Sequence, residues 1–300
     1  MSIITLTTDF GTDDHYVAAM KGVILAINPR ATIVDITHAI PPQDVRAGAF
    51  ALAGAAPYFP PGTIHVAVVD PGVGSERRPI ALRSLAGLGR MEAGSAQLEQ
   101  FFVGPDNGVL SLACGPGIGR GGLAQHMLWQ GWQQRGVVSA VHLTNRKYWR
   151  ADVSHTFHGR DIFAPVAAHL SKAGMRGAEL LAELGEPLAS TPVQLHLPPV
   201  VERDNTLMGT IIHIDRFGNC ISNILEWRVA DRRTAARIEF KGKHIAGIRR
   251  TYAEAERGEL LALVGSSGYV EIAMRDDSAA AEVGAVVGDT LKIGWSSLNR

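Results

Sequence analysis

The chain is poor in cysteine and has no excess of either charge. Its 300 residues include two cysteines, Cys114 and Cys220, and no CxxC pair, so zinc-knuckle and dithiol redox motifs are absent. Two isolated cysteines are expected to be buried thiols in a reducing compartment. Basic and acidic residues number 29 each and cancel, which argues against a large nucleic-acid-binding surface.

Long apolar runs are missing as well. No stretch of about 18 apolar residues is free of charges or breaks, and the N-terminus becomes acidic at Asp9 without a preceding basic segment. We therefore expect a soluble cytoplasmic protein with no signal peptide and no membrane partner. The GK[ST] phosphate loop and the GxSxG and HExxH motifs are also absent, so P-loop, serine-hydrolase and zinc-protease classes lack their signatures.

The first half of the chain alternates between strand and helix patterns. Strand-like segments at Ile3–Thr8, 31–37 and 63–69 are separated by helical patterns at Tyr16–Ile27 and 45–59. This alternation predicts an α/β domain with a mostly parallel sheet.

The second half is a series of short strand patterns separated by turns, which predicts an all-β barrel domain. A proline-rich stretch, 188–199, is expected to be the linker between domains spanning 1–187 and 200–300. Two further segments, the polar 84–100 and the glycine-rich 115–122, have no function that the sequence defines. The second of them does not follow the first strand, so it is not a dinucleotide fingerprint.

Acidic residues follow several of the predicted strands. Asp9 and Asp70 come directly after strand-like segments, and Asp106 follows the strand-like segment at 101–104; open parallel sheets bind their ligands at such strand ends. A carboxylate at such a position can bind a ribose diol. The alternative for Asp9 is that it caps the following helix.

Two runs of the first half combine charged and turn-forming residues. In Asp70-Pro-Gly-Val-Gly-Ser-Glu-Arg77, two glycines allow close approach of a ligand, and Arg77 can pair with Asp70 or hold an anion. His158 begins a strand-to-helix turn and is a candidate general base or water-orienting group, although most histidines are surface or packing residues. His155 lies nearby, but no third ligand has suitable spacing, so we expect no metal.

Two turns of the second half carry polar groups. Asp215, Phe217 and Asn219 offer a carboxylate, an aromatic face and an amide, a set that can bind an amine and stack on a base. Ser266 and Ser267 offer hydroxyls and backbone N–H groups for a carboxylate. The alternative in both cases is an ordinary turn.

Together these runs resemble one family, the S-adenosylmethionine hydroxide adenosyltransferases, which hydrolyse S-adenosylmethionine to adenosine and are related to fluorinase and chlorinase. The resemblance extends from Asp9 to about Ala273. The runs that carry it are TDFGTDDHYV, KGVI, IVDITHAI, HVAVVDPGVGSERR, FVGPDNG, TFHGRDIFAPVAA, IDRFGN and GSSGYVEIA.

The resemblance implies an N-terminal α/β domain, a C-terminal β-barrel domain and a homotrimer with sites at the subunit interfaces. The family's catalytic set falls on Asp70, Arg77 and His158. Substrate-binding positions implied by the resemblance, from ribose and adenine to the methionine amine and carboxylate, are Asp9, Phe157, Asp215, Phe217, Asn219, Tyr252, Ser266, Ser267, Tyr269 and Met274.

The implied reaction is attack of activated water on the ribose 5′ carbon, which displaces methionine. S-adenosylmethionine is the substrate, and no cofactor is expected. Two alternatives remain: a non-catalytic adenosyl-binding module and a halide adenosyltransferase. The halogenase relatives carry a serine and a threonine for the halide where this chain has Gly159 and Val73, and a tyrosine where it has Asp70. A nicotinamide oxidoreductase is a more distant alternative, because the fingerprint is missing.

Overall fold

The structure is a computed structural model that describes residues 2–85, 99–113 and 138–295. Most of the polar segment 84–100 and all of 115–122 lie outside this described part, as does Cys114. The chain divides into two compact units, with the boundary after Leu195. Cys220 is a buried free thiol, as the sequence predicts, and burial raises its pKa to about 11.

The first unit is a seven-stranded sheet with helices, the α/β architecture that the sequence predicts. The strands are β1 (Ile3–Thr8), β2 (Thr32–Thr37), β3 (Ile64–Val68), β4 (Pro79–Ser84), β5 (Gln100–Pro105), β6 (Val138–His142) and β7 (Glu186–Pro187). The helices are α1 (Tyr16–Ile27), α2 (Val45–Ala55), α3 (Ala164–Ala173) and α4 (Gly177–Glu183).

The sheet has a parallel core and antiparallel additions. The strand order is β2-β1-β3-β5-β4-β6-β7, and β2, β1, β3 and β5 pair in parallel. Strands β4 and β7 run antiparallel to their neighbours. The sequence pattern predicted the parallel strands but not β4, which is inserted between β5 and β6.

Hydrophobic burial explains why these segments form these elements. All residues of β3 are buried, as expected for a strand covered on both faces. Helix α1 buries Met20 and Ile24, one turn apart, against this core. The Asp44 carboxylate caps α2 by accepting a hydrogen bond from the backbone N–H of Ala47 at 2.9 Å, so the predicted helix start is confirmed.

The first part of the expected linker is bound to the first unit. Strand β7 pairs with β6, and the backbone N–H of Leu188 donates to the carbonyl of Ala140 at 2.9 Å. The N–H of Val193 donates to Asp106, and that of Leu195 to the Ser111 hydroxyl. The segment up to Leu195 is therefore packed structure rather than a free connection.

The second unit is a nearly closed β-barrel, again as the sequence predicts. Its strands are β8 (Val201–Arg203), β9 (Thr206–Ile214), β10 (Cys220–Leu225), β11 (Ala236–Phe240), β12 (Lys243–Ala246), β13 (Ile248–Arg249), β14 (Leu260–Val264), β15 (Tyr269–Met274) and β16 (Thr290–Trp295), with the short helix α5 (Ala279–Val283). The strand order is β12-β11-β16-β9-β10-β15-β14-β13, and β8 pairs with β9.

Alternating burial places the barrel core inside. In β11, Ala236, Ile238 and Phe240 are buried while the intervening Arg237 and Glu239 are exposed, the period-two pattern of a strand with one solvated face.

Within the described residues, no helix has both the length and the apolar character that crossing a bilayer requires.

Candidate active site

The parallel pairing of β1 and β3 brings two of the predicted carboxylates to one edge of the sheet. Thr8 pairs with Val68, and Asp9 and Asp70 follow shortly after these residues. Asp9 does not cap α1, whose N-cap is His15. Its Oδ2 accepts a hydrogen bond from the backbone N–H of Gln43 at 2.8 Å. The helix-cap alternative for Asp9 is therefore wrong.

Arg77 folds back onto Asp70, one of the two arrangements that the sequence allowed. Its Nε lies 2.9 and 3.0 Å from the two carboxylate oxygens, and its Nη2 lies 2.5 Å from Oδ2. The side chains are only 5% (Asp70) and 9% (Arg77) exposed. The result is a buried bidentate ion pair, which fixes both groups in one geometry.

The loop that carries this pair packs closely against the loop of His158. Gly74 has φ +79°, and a Cβ at this position would lie 2.6 Å from the carbonyl oxygen of His155. The position therefore needs glycine, both for its left-handed backbone and for its contact with the neighbouring loop. This contact brings together residues that are some 80 positions apart in the sequence.

His158 is bonded to the same arginine. Its Nδ1 lies 2.7 Å from Nη2 of Arg77. Because a guanidinium only donates, Nδ1 is the acceptor, and the proton of the neutral ring sits on Nε2. Burial and the positive charge of Arg77 lower the pKa of His158, although Asp70 and Asp161 partly offset them. The ring is thus neutral near pH 7 and offers an N–H donor at Nε2.

Asp161, which the sequence analysis did not single out, anchors the His158 loop. It is fully buried and accepts hydrogen bonds from Arg150, from Arg160 and from the backbone N–H of Ser154. Burial alone would raise the pKa of Asp161, but these donors hold it below the ordinary value. The five residues after His158, Gly159–Phe163, form a π-helical turn, a feature frequent at functional sites.

Aromatic rings adjoin this loop. Phe157 is buried and packs edge-on against Phe10 and Tyr16, with ring centroids 5.8 and 5.2 Å away. Tyr16 is 40% exposed and was not among the predicted site residues. Asn107 was not among the predicted site residues either; its side-chain N–H donates to the carbonyl of Val69, directly before Asp70, at 2.8 Å. The PDNG turn after a predicted strand was the signal for it.

Asp106 has a different environment from the other strand-end carboxylates. Its side chain is 2% exposed and is bonded to Arg78, which also donates to the Ser190 hydroxyl. It also accepts the backbone N–H of Val193. Asp106 thus holds the segment before the unit boundary against the first unit.

In the second unit, Asp215 organises a tight turn. Its Oδ1 accepts the backbone N–H groups of Phe217 and Asn219, both at 2.9 Å, and its Oδ2 accepts the Asn219 side-chain N–H at 2.8 Å. Gly218 has φ +81°, and a Cβ there would collide with Ser278. Phe217 is 77% exposed at the tip of this turn. An aromatic ring displayed in this way is available for stacking and is not the packed phenylalanine of an ordinary hairpin.

The other predicted positions of the second unit lie on β15, in the turn before it, and at Tyr252 in a short 3-10 turn ahead of β14. Ser266 and Ser267 occupy the turn between these strands, closed by a hydrogen bond from the Gly268 N–H to the Gly265 carbonyl. Tyr252 is 42% exposed. Tyr269 and Met274, at the two ends of β15, are both buried.

The fold and these residues define a two-unit protein. The α/β unit carries a hydrogen-bonded Asp–Arg–His group, and the β-barrel unit carries a turn with an exposed aromatic ring. Residues 4–179 match the model of the SAM hydroxide adenosyltransferase N-terminal domain, and residues 209–292 match that of the C-terminal domain. The chain therefore belongs to the SAM hydroxide adenosyltransferase family, which confirms the resemblance inferred from its motifs.

Individual relatives support this assignment over almost the full length. The chain is 38% identical to an (R)-S-adenosyl-L-methionine hydrolase of Salinispora tropica, with 97% of each chain covered. It is 30% identical to a fluorinase of an Actinoplanes species, with 90% of each covered. Among solved structures, an uncharacterized conserved protein from Thermotoga maritima matches with a TM-score of 0.76 and 31% identity, covering 98% of this chain and 100% of that one.

Proposed function

We propose that this protein hydrolyses S-adenosyl-L-methionine to adenosine and L-methionine. The observation that carries the proposal is the Asp70–Arg77–His158 group, in which one guanidinium is bonded to both a buried carboxylate and a half-buried, neutral imidazole. The (R)-S-adenosyl-L-methionine hydrolases among the relatives supply the substrate class.

The hydrolysis needs a water molecule held in position rather than a general acid. Methionine leaves the ribose 5′ carbon as a neutral thioether, so the leaving group needs no proton. The barrier falls when the water oxygen is held in line with the C–S bond, about 3–3.5 Å from the carbon. Exclusion of bulk water strengthens the polar contacts that hold it.

The hydrogen bonds of the group suggest how its members divide this work. Since Arg77 occupies Nδ1 of His158, the imidazole acts through its Nε2–H donor and orients the water oxygen. Asp70 is then the acceptor that takes the water proton. Arg77 fixes the position of the Asp70 carboxylate and holds His158 in the required tautomer, which explains a cation in a site for a sulfonium substrate.

The remaining predicted residues are assigned to substrate binding. Asp9 would bind the ribose hydroxyls, Phe217 would stack on adenine, and Asp215 would bind the methionine amine. The turn of Ser266 and Ser267 would hold the methionine carboxylate. We further propose a homotrimer in which each site combines the α/β unit of one subunit with the barrel unit of its neighbour.

Halide transfer is the competing enzymatic function, because fluorinases are among the relatives. Gly159 and Val73 have no side-chain hydroxyl to donate to a halide, and Asp70 would repel it. A Cβ at Gly159 would lie 3.3 Å from the Met20 sulfur and 3.4 Å from the Phe10 ring, so this position is also tightly packed. These features favour water as the nucleophile.

The test is product analysis by chromatography, with S-adenosylmethionine in chloride buffer. Hydrolysis predicts equal amounts of adenosine and methionine, and a loss of roughly 100-fold or more in rate for His158→Ala. A halogenated adenosine would favour halide transfer, and tightly bound adenosine without turnover would favour a binding module. Thr156→Ala, an exposed change on the same loop, is the control.

A further inference from the structure

Glu271 is a buried carboxylate for which the proposed function has so far assigned no role. It lies in the middle of β15, is 5% exposed, and its cross-strand neighbours are Ile221 on β10 and Leu263 on β14. Burial of a carboxylate among apolar neighbours is costly unless another group compensates the charge. Burial raises the pKa of Glu271, and the negative charge of Asp215 raises it further.

The contacts of Glu271 join three elements that bear on substrate binding. Its Oε1 accepts a hydrogen bond from the Tyr252 hydroxyl at 2.7 Å. The backbone of Gly265, which begins the turn of the two serines, passes so close that a Cβ there would collide with the Glu271 carboxylate. Asp215 is near enough to influence both Glu271 and Tyr252.

Among the described residues, the charge with the largest effect on the pKa of Glu271 is that of Asp215, which is also negative. The hydrogen-bond partner of Glu271 is the neutral phenol of Tyr252. A purely structural role would be served as well by a glutamine, which also accepts the tyrosine hydrogen bond. A glutamate at this position, in place of a glutamine, therefore needs a reason. A cation supplied by a ligand would provide one.

We infer that Glu271 is a positioning residue of the substrate site: it orients Tyr252 and the Gly265–Gly268 turn, and its charge favours the cationic substrate over the neutral nucleoside product. This inference rests on the proposed function. The selectivity has a physical basis, because S-adenosylmethionine carries a sulfonium, an ammonium and a carboxylate and is therefore a net cation, while adenosine carries no charge.

The experiment is calorimetric titration of wild type, Glu271→Gln and Tyr252→Phe with two ligands. One is adenosine, and the other is a non-hydrolysable S-adenosylmethionine analogue with an amine in place of the sulfonium. Glu271→Gln should raise the Kd of the cationic analogue roughly tenfold, the order of magnitude expected when one unit charge near a bound cation is lost at an effective dielectric constant of about 20. The Kd of adenosine should change less than twofold. Tyr252→Phe should weaken both ligands alike.

Stability separates this role from a purely structural one. The glutamine variant keeps the hydrogen bond and removes a buried charge, so its Tm at pH 7 should not fall below that of wild type. Glu282→Gln, which removes an exposed charge from the same unit, is the matched control and should leave both ligands unaffected. Equal effects of Glu271→Gln on the two ligands, or none on either, would overturn the inference. If wild type binds neither ligand, the proposed function fails instead.

Discussion

The buried pair of Asp70 and Arg77 allows a test of the site that separates its stability from its activity. Arg77→Leu keeps much of the side-chain volume but leaves Asp70, whose side chain is 5% exposed, without its partner. Breaking a buried ion pair from one side typically costs about 3–5 kcal/mol, because one charge remains uncompensated. For a unit of this size the Tm should fall by about 10 °C.

The second substitution, Asp70→Asn, removes the carboxylate charge that Arg77→Leu leaves without a partner. As a single variant, Asp70→Asn leaves the Arg77 guanidinium with a weaker, neutral acceptor, which should cost about 1–3 kcal/mol of stability. In the double variant no buried charge is stranded, so the two losses should not add. We expect a coupling free energy of at least about 1.5 kcal/mol between the two positions.

The assays are urea denaturation and hydrolysis rate for wild type, both single variants and the double variant. Stability should recover in the double variant relative to Arg77→Leu, whereas activity should stay low in all three. Additive losses of stability would contradict the buried pair. Recovery of activity together with stability would show that the pair serves only the fold.

Two further predictions concern single residues. Phe217→Ala should change the free energy of unfolding by less than about 0.5 kcal/mol, because the ring is 77% exposed. If the ring stacks on the base, the variant should bind adenosine about 1–3 kcal/mol more weakly in calorimetry. Unchanged adenosine affinity would show that Phe217 is not part of the site. His65 is buried against Phe102, and burial lowers its pKa to about 3 from 6.5. As the pH falls, His65 is therefore protonated in the unfolded chain before it is protonated in the folded protein. The free energy of unfolding decreases between about pH 6.5 and pH 3, by about 1.4 kcal/mol per pH unit. His65→Gln should remove one proton from that slope in urea denaturation, and an unchanged slope would contradict a buried neutral His65.

The fold of the first unit was predictable where local pattern decides the structure. Strand β1, helix α1 and the Asp44 cap follow from apolar spacing and turn residues within a few positions. Strand β4 was not predictable, because its place between β5 and β6 depends on pairings across segments distant in the chain.

The candidate site shows the same division. The acids Asp9 and Asp70 could be placed at one sheet edge from strand order alone. The hydrogen bond between Arg77 and His158 could not be predicted from the strand order, because 81 positions separate the two residues and their loops meet only in the folded structure. The family resemblance supplied that grouping, and the geometry supplies the tautomer of His158.

Buried charges were the features most easily missed. Glu271 lies within an otherwise apolar strand, and Asp161 follows directly on an arginine in a turn. Both look like surface residues by composition, because acidic side chains are seldom buried without a partner. Only the packed structure reveals that they are inside. An acid that interrupts a fully apolar strand is the sequence signal that could have identified Glu271.

If water attacks the ribose 5′ carbon at the Asp70–Arg77–His158 group, the 5′ oxygen of the adenosine product comes from the solvent. The most direct measurement is mass spectrometry of the products formed from S-adenosylmethionine in ¹⁸O-labelled water. We expect one ¹⁸O atom in the adenosine 5′-hydroxyl, unlabelled methionine, and little product with His158→Ala. Adenosine without the label, or full activity in that variant, would contradict it.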